Sequence, residues 1–190
     1  MPVSVAAFLV LLVLVGIMRI VELKISLRNQ RKLAERGVAK IPEPHFRATV
    51  ILHTGVLISA GLEVLLLHRP LIPALAIGAG LVFIAADVFR WWVIALLAEH
   101  WNVRVMSSAN LGVVTRGPFR WIRHPNYLAV IVELASLPLI HTAWITSLWG
   151  TLGYCWLLRS RIKVEEGVLM ANPAYRAAMG SKPRFVPGMF

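Results

Sequence analysis

Two short polar stretches carry the residues best able to do chemistry: Gly117–Tyr127, reading GPFRWIRHPNY, and Arg161–Glu166, reading RIKVEE. In the first, Pro125 bars His124 from helical geometry and favours an extended one. Pro125 itself suits the first position of a helix, where its missing N–H costs nothing. His124 is therefore expected at a helix N-terminus, where free backbone N–H groups and the helix dipole favour an anionic or electron-rich ligand. Asn126 adds a donor and an acceptor, and Tyr127 an aromatic face with a hydroxyl. In the second stretch Arg161 and Glu165 share a helical face at i,i+4, with Glu166 beside them. Arginine ahead of glutamate is the weaker orientation for stabilising a helix, so a site for a zwitterion explains the paired signs better. Interfacial anchoring would account for Arg120, Trp121, Arg123 and Tyr127, but not for the order His-Pro-Asn-Tyr at a helix start.

These stretches lie at the mouths of membrane-length apolar blocks. The chain has 190 residues, 58% of them hydrophobic, and a mean hydropathy of +0.71, which is more apolar surface than a soluble domain of this size can bury. A helix needs roughly 20 apolar residues to cross the hydrocarbon core. Helices are expected over about 3–23, 47–67, 71–98, 126–140 and 143–160, the last two forming a short hairpin around Pro138–Thr142. The expected fold is all-α, a polytopic membrane bundle of about five transmembrane helices in one domain, 1–190. No basic stretch precedes the first block and no cleavage site follows it, so it reads as a retained helix.

The net charge of +11 is explained by topology. Lys24, Arg28, Arg31, Lys32, Arg36, Lys40 and Arg47 fill the first loop, Arg104, Arg116, Arg120 and Arg123 the third, and Arg159, Arg161, Lys163, Arg176, Lys182 and Arg184 follow the last helix. Five crossings put all three regions on one side, against Arg69 on the other, so the positive-inside rule places the N-terminus outside and both polar stretches in the cytosol. Nucleic acid is then an unneeded partner, and anionic lipid headgroups take its place. Cys155 is the only cysteine, and no Cys/His ligand spacing is present, so no metal is expected. His45, His53, His68 and His141 stand singly near helix ends and are given no chemistry.

The first loop reads as helical through Leu33–Arg36 and stops at Gly37, after which Ile41–Pro44 returns the chain to the membrane. Asp87 and Arg90, at i,i+3, are expected to neutralise each other. Glu63 and Glu133 have no cation at helical spacing. Glu63 reads as a neutral carboxyl bonded to another helix, whereas Glu133, two turns beyond the first polar stretch, is balanced between that reading and contact with a substrate head group. Ala171–Pro173 breaks the last helix, Ala174–Met179 resumes it, and a tail with Pro183 and Pro187 is extended.

With these residues in view, LGVVTRGPF at 111–119, RHPNY at 123–127, and Arg161, Glu165, Glu166 and Tyr175 together resemble the C-terminal signature of the isoprenylcysteine carboxyl methyltransferase family, which also resembles membrane phospholipid methyltransferases. The resemblance covers roughly the last eighty residues and is specific as an ensemble. It implies an S-adenosylmethionine-dependent methyltransferase, with the cofactor enclosed by a cytosolic cap built from the third loop and the C-terminal helix (signature 111–127 and 161–175). A lipophilic acceptor would arrive laterally from the membrane. It further implies cofactor contacts at Leu111, Gly112, Val113, Val114, Phe119, His124, Pro125, Asn126, Tyr127 and Glu165, with Arg161 orienting the acceptor. The family usually has tyrosine where this chain has Phe119, which keeps the stacking face and lacks the hydroxyl. No Gly-x-Gly-x-x-Gly motif follows a strand, consistent with the absence of a Rossmann cofactor domain.

On chemical grounds Glu165 can take the ammonium of S-adenosylmethionine, and aromatic faces suit its adenine or sulfonium. The acceptor stays open. A carboxylate needs no base. A phenol or enol, as in small microbial relatives that methylate alkylpyrones or alkylresorcinols, needs one, and Glu133 or His100 could serve. A phospholipid amine is a third possibility. A non-catalytic membrane protein that binds lipid or a partner through its basic face is the rival from another class.

Overall fold

The computed structural model describes residues 1–43, 45–106 and 112–185. Among them the regular structure is helical: α1 (Val3–Glu35), α2 (Phe46–Leu66), α3 (Pro73–Leu97), α4 (Pro125–Leu139), α5 (Trp144–Ala171) and α6 (Pro173–Met179), with 3-10 turns at Ala98–His100 and Gly117–Arg120. One isolated antiparallel bridge joins Lys40 to Met106.

The span at 3–23 and the polar helix of the first loop are one continuous helix of 33 residues. No glycine or proline lies between Ile17 and Arg36 to interrupt it. It ends at Gly37, whose φ of +75° lets the Gly37 N–H reach Ala34 O at 2.9 Å and the Val38 N–H reach Leu33 O at 3.0 Å. That is the paired hydrogen bonding of a glycine-terminated helix. The last arm, expected over 143–160, likewise runs on as a single 28-residue helix to Ala171, so Arg161–Glu166 continues that same helix without a break.

Among the described residues three helices are long and apolar enough to cross a membrane: α1, α2 and the run Pro73–His100, while α4 is a shorter apolar helix. Their outward faces carry exposed Val10, Val13, Leu14, Ile17, Ile58, Leu81 and Ile84, as surfaces solvated by lipid do. Inside, Phe8, Leu12 and Val15 of α1 meet Ala60 and Val64 of α2, Phe83 of α3 and Leu137 of α4. Nearer the polar end, Val56 of α2 packs with Tyr127, Val130 and Leu134 of α4 and Tyr154, Leu158 and Ile162 of α5. α2 and α5 approach closely because α5 offers glycines: a Cβ on Gly150 would stand 2.6 Å from Val56 Cγ2, and one on Gly153 2.9 Å from Leu52 Cδ1.

Glu63 caps the start of α5 from α2. Its carboxylate accepts from the Thr146 N–H at 2.8 Å, the Thr146 hydroxyl at 2.7 Å and the Ile145 N–H at 3.2 Å. The expected bond to another helix is there, but Arg69 at 2.8 Å makes it an ion pair and corrects the neutral reading. The expected Asp87–Arg90 pairing is also corrected. Arg90 reaches away from Asp87 to two carboxylates on other helices, Glu133 at 2.7 Å and Glu22 at 2.5 Å, and Arg19 completes a ring with Glu22 at 2.7 Å and Glu133 at 2.8 Å. A guanidinium between two carboxylates satisfies both faces of its fork, which a single carboxylate three residues back cannot do. Oδ1 of Asp87 is buried without a hydrogen-bond partner among the described residues.

Candidate functional site

The end of the bundle beyond α3 is where the polar stretches meet. Gly117 enters its turn at φ +60° and passes so close to Leu96 that a Cβ would collide with that side chain. Pro118 and Phe119 are thereby buried, and Phe119 packs with Val93 of α3 and Met179 of α6. Pro125 opens α4, and His124 stands before it at φ −123°, ψ 56°. It is out of the helix as expected but short of the extended geometry, with its N–H bound to Arg184 O at 3.0 Å. The neighbouring Arg123 N–H donates to Pro183 O at 2.9 Å, and Lys182 Nζ to Phe119 O at 2.8 Å. The segment after α6 thus closes on the cassette backbone, a contact between residues some sixty positions apart that no local pattern announces.

These elements enclose a cavity of about 160 Å³. Gly112, Val113, Val114, Phe119, His124, Pro125, Asn126, Tyr127 and Glu165 all line it; Leu111 lies outside the described residues. Arg161 and Glu133 do not line it. Arg161 stands behind the Tyr127 wall, and Glu133 belongs to the buried ring with Arg19, Glu22 and Arg90. His100, Trp101, Asn102, Leu169, Asn172 and Tyr175 are also on its walls. Tyr175 was legible from the signature and His100 as a candidate base, whereas Trp101, Asn102, Leu169 and Asn172 carry no motif.

Arg161 and Glu165 are joined through a third residue. Arg161 Nε donates to the Tyr127 hydroxyl at 2.7 Å, and that hydroxyl donates to Glu165 Oε2 at 2.5 Å. The guanidinium is held on its other sides by Val103 O, at 2.8 Å from Nη2, and by Glu43 Oε2, at 3.0 Å from Nη1. Burial works against its charge, but Tyr127, Glu43 and Glu165 outweigh it and raise its pKa above the ordinary arginine value.

Glu166 faces the other way and braces the cassette. His124 Nε2 donates to its Oε1 at 3.0 Å, Arg184 Nη2 reaches Oε2 at 2.7 Å, and Arg123 lies at 3.4 Å. Burial would raise the Glu166 pKa, but bonds from His124 and Arg184 with the charge of Arg123 overcome it and hold the carboxyl at about 2. With Nε2 committed, the ring stacks on Tyr127 at 5.4 Å and turns Nδ1 toward Glu165, 3.9 Å away.

The loop behind the cavity is anchored by α1. Asn29 Nδ2 donates to Trp101 O at 2.8 Å and Ala98 O at 3.1 Å, and Ser26 Oγ accepts from the Val103 N–H at 3.0 Å. Ser26, Asn29 and Gln30 are buried. Their one signal in the sequence is a stripe of small polar residues at three- and four-residue spacing among the basic ones.

The residues present fit S-adenosylmethionine. The cavity has a carboxylate at Glu165, the buried Asn126 Oδ1 with no partner among the described residues, aromatic faces at Trp101, Phe119 and Tyr175, and aliphatic walls at Leu97, Val113 and Leu169. An ammonium, a donor-bearing purine and a sulfonium each find a matching group there.

Comparison with known proteins agrees with this geometry. Residues 77–171 match the isoprenylcysteine carboxyl methyltransferase (ICMT) family. The protein YpbQ of Bacillus subtilis (strain 168) is 26% identical over 162 residues, covering 85% of this chain and 96% of its own. A protein of Haemophilus influenzae (strain ATCC 51907 / DSM 11121 / KW20 / Rd) is 31% identical over 153 residues, covering 80% of this chain and 88% of its own. The chain belongs to the ICMT family of membrane methyltransferases, whose methyl donor is S-adenosylmethionine.

Proposed function

We infer that this ICMT-family member methylates an oxygen atom of a lipophilic acceptor drawn from the membrane, a carboxylate or an acidic phenol or enol. The observation that carries the reading is the convergence, in one cavity, of the Glu165 carboxylate, an Asn126 Oδ1 with no partner among the described residues, and three aromatic faces. S-adenosylmethionine, when bound, supplies the electrophilic methyl group. The chain's own residues bind, align and exclude water, which is most of what a direct displacement asks of an enzyme.

In this assignment Glu165 takes the ammonium, held in place by the Tyr127 hydroxyl. Asn126 Oδ1 accepts from the purine amino group. Gly112–Val114 and Phe119 cover the site from the loop side and keep water out. Arg161 has five N–H groups and three partners, so it retains donors for an anionic acceptor oxygen that comes past Tyr127. Where the acceptor must lose a proton, His100 on the cavity wall is the base, because Glu133 is committed to two arginines away from the cavity. Charge placement supports five crossings with the N-terminus outside and the cavity on the cytosolic face, where a water-soluble methyl donor has access.

Calorimetric titration of detergent-purified protein with S-adenosylmethionine tests this reading. The unsubstituted protein is expected to bind it, and Glu165→Gln to bind about ten- to a hundredfold more weakly, the range for losing a hydrogen bond to a charged group. Absence of binding by the unsubstituted protein would sink the methyltransferase assignment.

A further inference from the structure

Glu43 lies in the linker between α1 and α2, outside the residues 77–171 that match the family. Its side chain is 4% exposed. One carboxylate oxygen accepts from the Val105 N–H at 2.7 Å, and the other pairs with Arg161 Nη1 at 3.0 Å. The linker is pinned where this happens, by the Lys40–Met106 bridge and by the Ile41 N–H on Val105 O at 3.0 Å. A buried carboxylate with both oxygens engaged and the backbone just before it tied down is a fixed point and not a surface charge that chanced on a partner.

Arg161 stands between two carboxylates. Glu43 holds it from the linker side, while Glu165, one turn further along α5, is reached only through the Tyr127 hydroxyl. We propose that Glu43 is a positioning residue for the cofactor site: it keeps the Arg161 guanidinium off Glu165, and so leaves Glu165 free to take the ammonium of the methyl donor. The proposal rests on the methyl-donor reading above. Without the Glu43 charge, the nearest remaining carboxylate for Arg161 is Glu165. The i,i+4 spacing puts it within reach, and a direct pair would neutralise the ammonium site while the rest of the cavity kept its shape.

The consequence is selective. Glu43→Gln, which keeps size and removes charge, should weaken S-adenosylmethionine and S-adenosylhomocysteine by about tenfold. It should leave 5′-methylthioadenosine, which has the same nucleoside but no ammonium, unchanged when measured by displacement of labelled S-adenosylmethionine. The double variant Glu43→Gln/Glu165→Gln should bind S-adenosylmethionine no more weakly than Glu165→Gln alone, because both act on one interaction. Should Glu43→Gln not yield folded protein, Glu43→Asp is titrated with the same ligands, and a smaller loss confined to those bearing the ammonium is expected. Equal loss for all three ligands, an additive double variant, or unchanged affinity for S-adenosylmethionine each overturns the proposal and leaves the methyl-donor reading standing. An unsubstituted protein that does not bind S-adenosylmethionine overturns both.

Discussion

At the residue scale the site is organised by carboxylates facing opposite ways from neighbouring positions. Glu165 looks into the cavity, and Glu166 gathers His124, Arg123 and Arg184 behind it. The Glu166 carboxyl is held at about 2 against an ordinary 4.5. A depressed carboxylate contributes its full stabilisation above the ordinary value and loses it as pH falls through the folded one. Docking of residues 182–185 on the cassette should therefore be intact above about pH 4.5 and released between about 4.5 and 2. Hydrogen exchange at the His124 amide, bonded to Arg184 O, reports this, and Glu166→Gln should show the released behaviour already at neutral pH. The cassette was legible because its logic is local: Pro125 determines where a helix begins, and His124 and Tyr127 follow from that. Glu43 and the Glu22–Arg90 pair were not, since these partners meet across scores of residues and nothing in spacing ties them, and Arg184 meets Glu166 only because the chain turns back after α6. Asp87 and Arg90 show the opposite failure, where spacing suggested a pair and two better-placed carboxylates took the arginine.

At the element scale, α5 is the link between the helix bundle and the cavity. Its first half packs on α2 through Gly150 and Gly153, and its second half presents Arg161, Glu165 and Glu166 with no break between. Each residue of an α-helix turns it by roughly 100°. One alanine inserted after Gly153 should swing Glu165 out of the cavity and abolish S-adenosylmethionine binding. Four inserted residues, which return the face to within roughly 40° of register, should restore part of it, and calorimetry on the two variants checks the ordering. The apolar blocks announced most helices, and Gly37 and Pro173 marked their ends. The continuity of α1 and α5 was harder to read, because the change from apolar to charged residues looks like a boundary while nothing in the backbone chemistry requires one.

At the scale of the whole molecule, the ring of Arg19, Glu22, Arg90 and Glu133 ties α1, α3 and α4 together within the apolar bundle. Removing one partner of such a set leaves a buried charge uncompensated, at a cost of about 3 to 5 kcal/mol. Glu133→Gln should therefore lower the unfolding midpoint of the detergent-solubilised protein substantially, while Asp87→Asn, which breaks no ion pair of the ring, should shift it far less; equal shifts would mean the ring does not anchor α1. The ring also bears on how the protein meets an energised membrane. Its two arginines and two glutamates sum to a formal charge of zero, so a transmembrane voltage does no net work when the four move together along the field. The charges that hold the bundle are electrically silent when they move as a group, and the membrane potential acts on them only in motions that part the arginines from the glutamates.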